Sequence, residues 1–267
     1  MGKSLIAIFF LFNFFARPVF ASYSYVQLEL TDHSIVNGEL IESYEDRWFW
    51  EKNSEFIEKY KLLFSLEWGE PKWQMINEKN IIKSTVQLKK RSLYRRYLQR
   101  KGIVFQNTLV ENAYVLTGNE GHHKFERMFG NFAWDIGVVD SNGKTHSEEG
   151  LELSDYYIFN RDVKAPLKGI VVGLVSNQED NKPSPLFLGD LSQKENNYLT
   201  LKIDGPFYLS IVHFKQNSIT VNIGDEVKIG QVLGQVGNSG VSYVPHLHYT
   251  LYAYIPELER FISVPAN

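Results

Sequence analysis

Apolar and polar residues alternate along much of this chain, the mark of strands with one face on a core and one toward water. Val26-Gln27-Leu28-Glu29-Leu30 shows the pattern first. Thr31-Asp32-His33-Ser34 reads as a turn, and Ile35 to Ile41 resumes the alternation, with Gly38 expected at a bulge or bend. Arg47-Trp48-Phe49-Trp50 predicts a third, aromatic-rich strand. Residues 22–88 therefore read as a small β-rich module, with Trp48, Trp50, Trp68 and Trp73 expected in its core rather than on a ligand platform.

The period changes between Lys89 and Lys101. Seven of these thirteen residues are Lys or Arg, while Leu93, Tyr94, Tyr97 and Leu98 recur at helical spacing. A basic linker helix over 89–103, docked by its apolar face, is the expectation. From residue 104 to 267 strands return. Gly169 to Val175 reads as a buried strand. Leu199, Leu201 and Ile203 alternate with polar neighbours, and Asp204-Gly205-Pro206 turns the chain into Phe207 to Phe214. Glycines punctuate short apolar pieces from Val221 to Gly240, as in sheets with narrow turns. Two polar stretches, 141–160 and 176–196, read as long loops of the kind that border a binding groove or form floppy insertions. The fold class is mainly β, with an antiparallel C-terminal sheet or sandwich.

The N-terminus breaks the pattern. Lys3 precedes an apolar run from Leu5 to Phe15, Arg17 and Pro18 end it, and Val19-Phe20-Ala21 offers a cleavage site. This predicts a signal peptide over 1–21, too short to span a bilayer, and hence export to the periplasm or beyond with no stable membrane insertion after cleavage. The remaining composition mostly excludes. Among 267 residues, 28 are basic and 31 acidic, so no global charge points to nucleic acid. The chain contains no cysteine, which removes disulfide scaffolds, thiolate metal sites and cysteine nucleophiles.

Chemistry concentrates in the histidines. His246-Leu247-His248 opens an apolar strand, and residues two apart in a strand face the same side, so both imidazoles point together. His213 closes another strand. Asp135 lies in the apolar run Asn131-Phe132-Ala133-Trp134-Asp135-Ile136, where a carboxylate is costly unless paired or bound to metal. Gly121-His122-His123 adds imidazoles upstream. His33 and His146 sit in polar turns and are expected to be solvated.

These elements resemble, in order and spacing, the lysostaphin-type (LytM-like) zinc metalloendopeptidases that cut peptidoglycan peptides. The resemblance spans 118–252. It rests on Ala133-Trp134-Asp135, on Val163-Lys164-Ala165-Pro166-Leu167-Lys168-Gly169-Ile170-Val171 and on the hairpin ending in His213-Phe214. Gly224-Asp225-Glu226-Val227-Lys228-Ile229-Gly230-Gln231 and Gly237-Asn238-Ser239-Gly240 with Pro245-His246-Leu247-His248 complete it. It implies a lysostaphin-like peptidase domain over 104–267 and Zn²⁺ held by His123, Asp135 and His248, with His213 and His246 as acid–base or transition-state-stabilising groups. Many members place the first ligand four residues before the Asp, where this chain has Asn131. His123 matches a variant setting, with His122 as the alternative. More weakly, the hairpin over 26–41 resembles Sm-like or SH3-like barrels, which makes the N-terminal module barrel-like.

The resemblance implies an exported zinc endopeptidase acting on peptidoglycan stem or cross-link peptides. Its alternative is a catalytically inactive, peptidase-like regulator or adaptor of cell-wall hydrolases. The N-terminal module offers a surface for envelope protein partners, or a cover for the groove.

Overall fold

The computed structural model describes residues 23–46, 58–105, 109–117, 130, 132–256 and 259–266. The predicted leader, the Arg47–Trp50 strand, His122, His123 and Asn131 lie outside these residues. No helix among the described residues is long and apolar enough to cross a membrane.

The N-terminal module is a five-stranded antiparallel sheet of β1 (Tyr23–Leu30), β2 (Ile35–Asp46), β3 (Glu58–Glu67), β4 (Glu70–Asn77) and β5 (Ile81–Lys89), in the order β4-β3-β2-β1-β5. Alternation works as expected in β1, where Val26 and Leu28 are buried and Gln27 is exposed. Among the described residues β4 and β5 end the hydrogen-bonded path without pairing to each other. Gly38 corrects the sequence reading. It pairs in register with Val26, and the irregularity lies further on, between Leu40 and Glu42. Gly38 is needed instead for close approach, because a Cβ there would stand 3.0 Å from both the Leu63 side chain and the Phe64 carbonyl. The tryptophans divide. Trp73 is buried, whereas Trp68 is 99% exposed at the β3–β4 turn. Trp48 and Trp50 lie outside the described residues.

Lys89 ends β5 rather than starting a helix, and α1 covers only Leu93–Arg100. Its start is fixed twice. Ser92 accepts the Arg95 N–H in an N-cap, and the buried Glu39 carboxylate accepts from Ser92 Oγ (2.6 Å), from Tyr94 N (3.1 Å) and from Leu93 N. The apolar face predicted from spacing is real: Tyr94, Tyr97 and Leu98 are buried.

The C-terminal region is built on an eight-stranded antiparallel sheet. Its main path runs β12 (Glu226–Val227), β9 (Gly169–Val175), β10 (Tyr198–Lys202), β11 (Phe207–Val212), β14 (Leu247–Ile255), β7 (Trp134–Gly137) and β6 (Tyr114–Thr117). The far end of β14 pairs with β15 (Arg260–Ser263). A two-stranded sheet of β8 (Asp162–Lys164) and β13 (Val232–Gln235) supplies a second layer. Val163 and Leu233 share one core with Leu199, Leu201, Leu209 and Ile211. The predicted buried strand 169–175 is instead half-solvated. Val171 is buried while Ile170 and Val172 are 42% and 41% exposed, because β9 lies next to the end of the path and is flanked there only by the two-residue β12.

A second core joins the halves. Trp73 and Phe64 from the N-terminal sheet, Tyr94 and Tyr97 from α1, and Phe207 and Leu251 from the large sheet pack together. On β14 these contacts use the odd-numbered residues, which leaves the even-numbered His248 and Thr250 on the opposite face.

Candidate metal centre and active site

The first site residues arrive by strand register. β7 and β14 are antiparallel neighbours with Asp135 opposite His248, and β11 sets Val212 opposite His248 from the other side. His213 follows Val212 at the mouth of the same row. Asp135 Oδ1 lies 3.0 Å from His248 Nδ1 and 3.5 Å from His246 Nε2. The His213 ring centroid is 4.6 Å from that of His246 and 5.9 Å from that of His248. Four of the five residues predicted to carry the chemistry therefore meet in one place. The fifth, His123, and its alternative His122 lie outside the described residues. Among the described residues no group of three or more His, Cys, Asp or Glu side chains is arranged to hold a metal ion. The donor set present, one buried carboxylate facing two imidazoles, has the nitrogen and oxygen chemistry that zinc accepts.

Each imidazole is oriented by a partner that sequence reasoning missed. His213 Nδ1 sits 2.8 Å from the Ser239 carbonyl oxygen. A carbonyl only accepts, so Nδ1 carries the proton and Nε2 is bare. His246 Nδ1 lies 2.9 Å from the Val244 carbonyl and 3.2 Å from Ser242 Oγ, which turns its Nε2 toward Asp135. His248 Nε2 contacts Thr250 Oγ1 at 3.2 Å, and Thr250 is fully buried. Thr250 was legible in retrospect, since it lies two residues along the same strand face.

Burial, followed by the neighbouring His246 and His248, holds the His213 pKa well below the usual histidine range, so its ring is neutral near pH 7. Its backbone is also unusual for a residue with a Cβ, at φ +70°. The surroundings enforce that conformation. The His213 N–H donates to the Asn197 carbonyl, and the Gly237 N–H donates to the His213 carbonyl. Asn197 and Ser239, both fully buried, brace the next residue: Asn197 Nδ2 and Ser239 Oγ both donate to the Phe214 carbonyl.

The long loop 176–196 buttresses the same spot. Asn181 Nδ2 donates to the carbonyls of Gly240 (2.6 Å) and Ser242 (3.1 Å), and Asp180 Oδ1 accepts the Asn238 N–H at 2.6 Å. Glycine is required where this packing is tightest. A side chain on Gly237 would collide with the Asp180 carboxylate and the Lys215 backbone, and Gly240 combines φ +76° with the Asn196 amide against its Cα. The loop tip Leu186-Phe187-Leu188 is exposed beside Tyr243, whose hydroxyl donates to the Gly189 carbonyl. Loop 141–160 is more ordered than a floppy insertion, with a bridge between His146 and Tyr156 and their rings 5.1 Å apart. His33 is exposed, as expected.

Residues 155–257 match the sequence profile of Peptidase family M23. Over that stretch the chain is similar to Peptidase family M23. His213, His246 and His248 lie inside the matched M23 segment, and Asp135 lies outside it, brought in by the β7–β14 pairing. A curated relative, an uncharacterized metalloprotease of Buchnera aphidicola subsp. Baizongia pistaciae (strain Bp), is 38% identical over 61 residues. That match covers 23% of this chain and only 16% of the relative's length. Among solved structures, the catalytic domain of the prophage-encoded M23 protein EnpA from Enterococcus faecalis aligns with a TM-score of 0.38 and 18% identity, over 61% of this chain and 95% of that one. Lysostaphin from Staphylococcus simulans aligns at 0.34 and 19%, over 53% and 43%. The match over residues 155–257 supports a function of peptidase type for that segment.

Proposed function

We propose that this chain is an exported zinc endopeptidase that hydrolyses peptide bonds in the stem or cross-link peptides of peptidoglycan. The observation that carries the reading is the convergence of Asp135 on β7, His248 on β14, His246 just before β14 and His213 just after β11, the three histidines lying inside the M23-like segment. Asp135 through Oδ1 and His248 through Nδ1 would hold the metal, with His123 as the third ligand. Bound zinc supplies Lewis acidity toward the scissile carbonyl and makes water a nucleophile near neutral pH.

The chain's own residues do the rest. Asp135, His246 and His248 form a rigid row because two strand pairings and three hydrogen-bond partners hold them before substrate arrives. His213, neutral and bare at Nε2, can take a proton from the attacking water. His246 flanks the same locus with its Nε2. When that nitrogen carries a proton it can donate to the oxyanion developing on the scissile carbonyl or return a proton to the leaving amine. The exposed groove edge at 186–189 and Tyr243 would contact the peptide flanking the cleaved bond.

The test compares the purified protein with His248→Ala. About one zinc per chain and release of soluble fragments from cell-wall sacculi are expected, both lost in the variant. A zinc-free wild type that leaves sacculi intact would overturn the proposal and favour the regulator reading.

A further inference from the structure

The basic segment around α1 is not absorbed by the peptidase chemistry, and it borders a cavity. The recess has a volume of about 510 Å³ and lies where the β1 and β5 ends meet the start of α1. Its walls are Tyr23, Tyr25 and Leu93, and its rim carries Lys89, Lys90, Arg91 and Arg96. A second recess of about 440 Å³ shares Leu93 and Arg96 with the first and is lined as well by Leu66, Gln99 and Arg100, so the two adjoin along the helix and together make a track. Register explains the first recess. Tyr23 is opposite Lys89 and Tyr25 is opposite Glu39, which places all four on neighbouring strand positions below the helix start.

The charges of this track are unmatched. Three lysines near the N-terminal module have carboxylate partners: Lys61 with Glu78 at 2.7 Å, Lys72 with Glu67 at 2.7 Å and Lys101 with Asp204 at 3.5 Å. Lys89, Lys90, Arg91 and Arg96 have none among the described residues, and all four are exposed. The one acid lining the recess, Glu39, is buried and committed to the start of α1. Two cations instead lie over the tyrosine rings, Lys89 at 6.0 Å from the Tyr25 centroid and Arg95 at 5.7 Å from that of Tyr23. The ligand that fits has an apolar ring face for the tyrosines, regularly spaced anionic groups for the cations, and enough length to run from one recess to the next.

We propose that this track between the N-terminal sheet and α1 binds a linear polyanionic glycan. Sugar rings lie against Tyr23 and Tyr25, and sulfate, phosphate or carboxylate groups pair with Lys90, Arg91 and Arg96. A concave recess walled by aromatic rings favours such a chain over a bilayer surface, which cannot enter it. The site is separate from the histidine cluster and stands whether or not the chain is a peptidase.

Isothermal titration of the full chain with a heparin-derived octasaccharide tests it. Saturable binding that weakens with salt is expected. Lys90→Gln/Arg91→Gln/Arg96→Gln should weaken it at least about tenfold through lost charge-assisted contacts. Tyr23→Ala/Tyr25→Ala should weaken it about tenfold through lost ring contacts. A neutral N-acetylglucosamine octasaccharide should bind far less tightly than heparin. Arg91→Gln alone, at an exposed position, keeps the charge comparison readable if the triple variant misfolds. The proposal is overturned by absence of saturable heparin binding or by full binding in the tyrosine variant. It is equally overturned if a DNA duplex or phosphatidylglycerol vesicles bind as tightly as the glycan.

Discussion

Thr250 shows how much of the site rests on a residue with no obvious chemistry of its own. Its hydroxyl is buried 3.2 Å from His248 Nε2. Here Nδ1 donates to the Asp135 carboxylate and Nε2 accepts from Thr250; with a metal at Nδ1 the proton would move to Nε2, where the Thr250 hydroxyl would accept it and hold the ring. Thr250→Val keeps the shape and removes the partner, and is expected to weaken zinc affinity about 10–100-fold, with Thr250→Ser retaining it. Competition against a chromophoric chelator measures this without reference to catalysis, and equal affinity in the Val variant would refute the role. The same scale shows why parts of the site were legible. His246 and His248 needed only the two-residue strand period, and Asp135 was conspicuous as a carboxylate in an apolar run. The partners Ser239 and Val244 were not, because each orients a ring through its backbone carbonyl, a group every residue carries.

At the scale of elements, α1 is set by Glu39 as much as by its own sequence. Eight residues are too few for a stable isolated helix, so the helix depends on its cap and its docked face. The spacing of Leu93, Tyr94, Tyr97 and Leu98 made the helix and its buried side readable. Its cap was not readable, because Glu39 lies 53 residues before Ser92 and looks like an ordinary strand glutamate. Glu39→Ala strips one side-chain oxygen and two backbone N–H groups of their partner and is expected to cost about 1–3 kcal/mol. The expected readout is a lower thermal midpoint together with faster proteolysis between residues 89 and 103. An unchanged cleavage rate would show that the aromatic face alone holds the helix. The strands divide in the same way. β10 and β11 were readable from alternation, whereas the half-exposure of β9 follows from its place beside the short β12, which the run 169–175 does not encode.

At the scale of the molecule, the aromatic core of Phe64, Trp73, Tyr94, Tyr97 and Phe207 makes the N-terminal sheet part of what supports the large sheet. Trp73 and Phe64 pack edge to face at 5.0 Å, and Trp73 and Phe207 do so at 6.3 Å. Trp73→Ala should therefore destabilise the whole chain, by about 3–5 kcal/mol, in one transition followed by both near- and far-ultraviolet dichroism. Two separated transitions, with only the earlier one shifted, would show that the halves stand independently. The packing also decides where the N-terminal module sits. It reaches β14 through Leu251 and Ala253, on the face opposite His248, so it supports the site from behind.

Sequence alone determined what depends on local periodicity and residue chemistry. That includes the alternating strands, the amphipathic face of α1, the exclusion of thiol chemistry, and the choice of Asp135, His213, His246 and His248 as the residues to watch. Only the tertiary structure decided that Asp135 stands opposite His248 across 113 residues of chain. It also decided that His213 is neutral in a left-handed backbone, that Glu39 caps a helix, and that four cations beside two tyrosines have no carboxylate partner among the described residues. Register, burial and capping join residues far apart in the chain, and no local pattern carries that information.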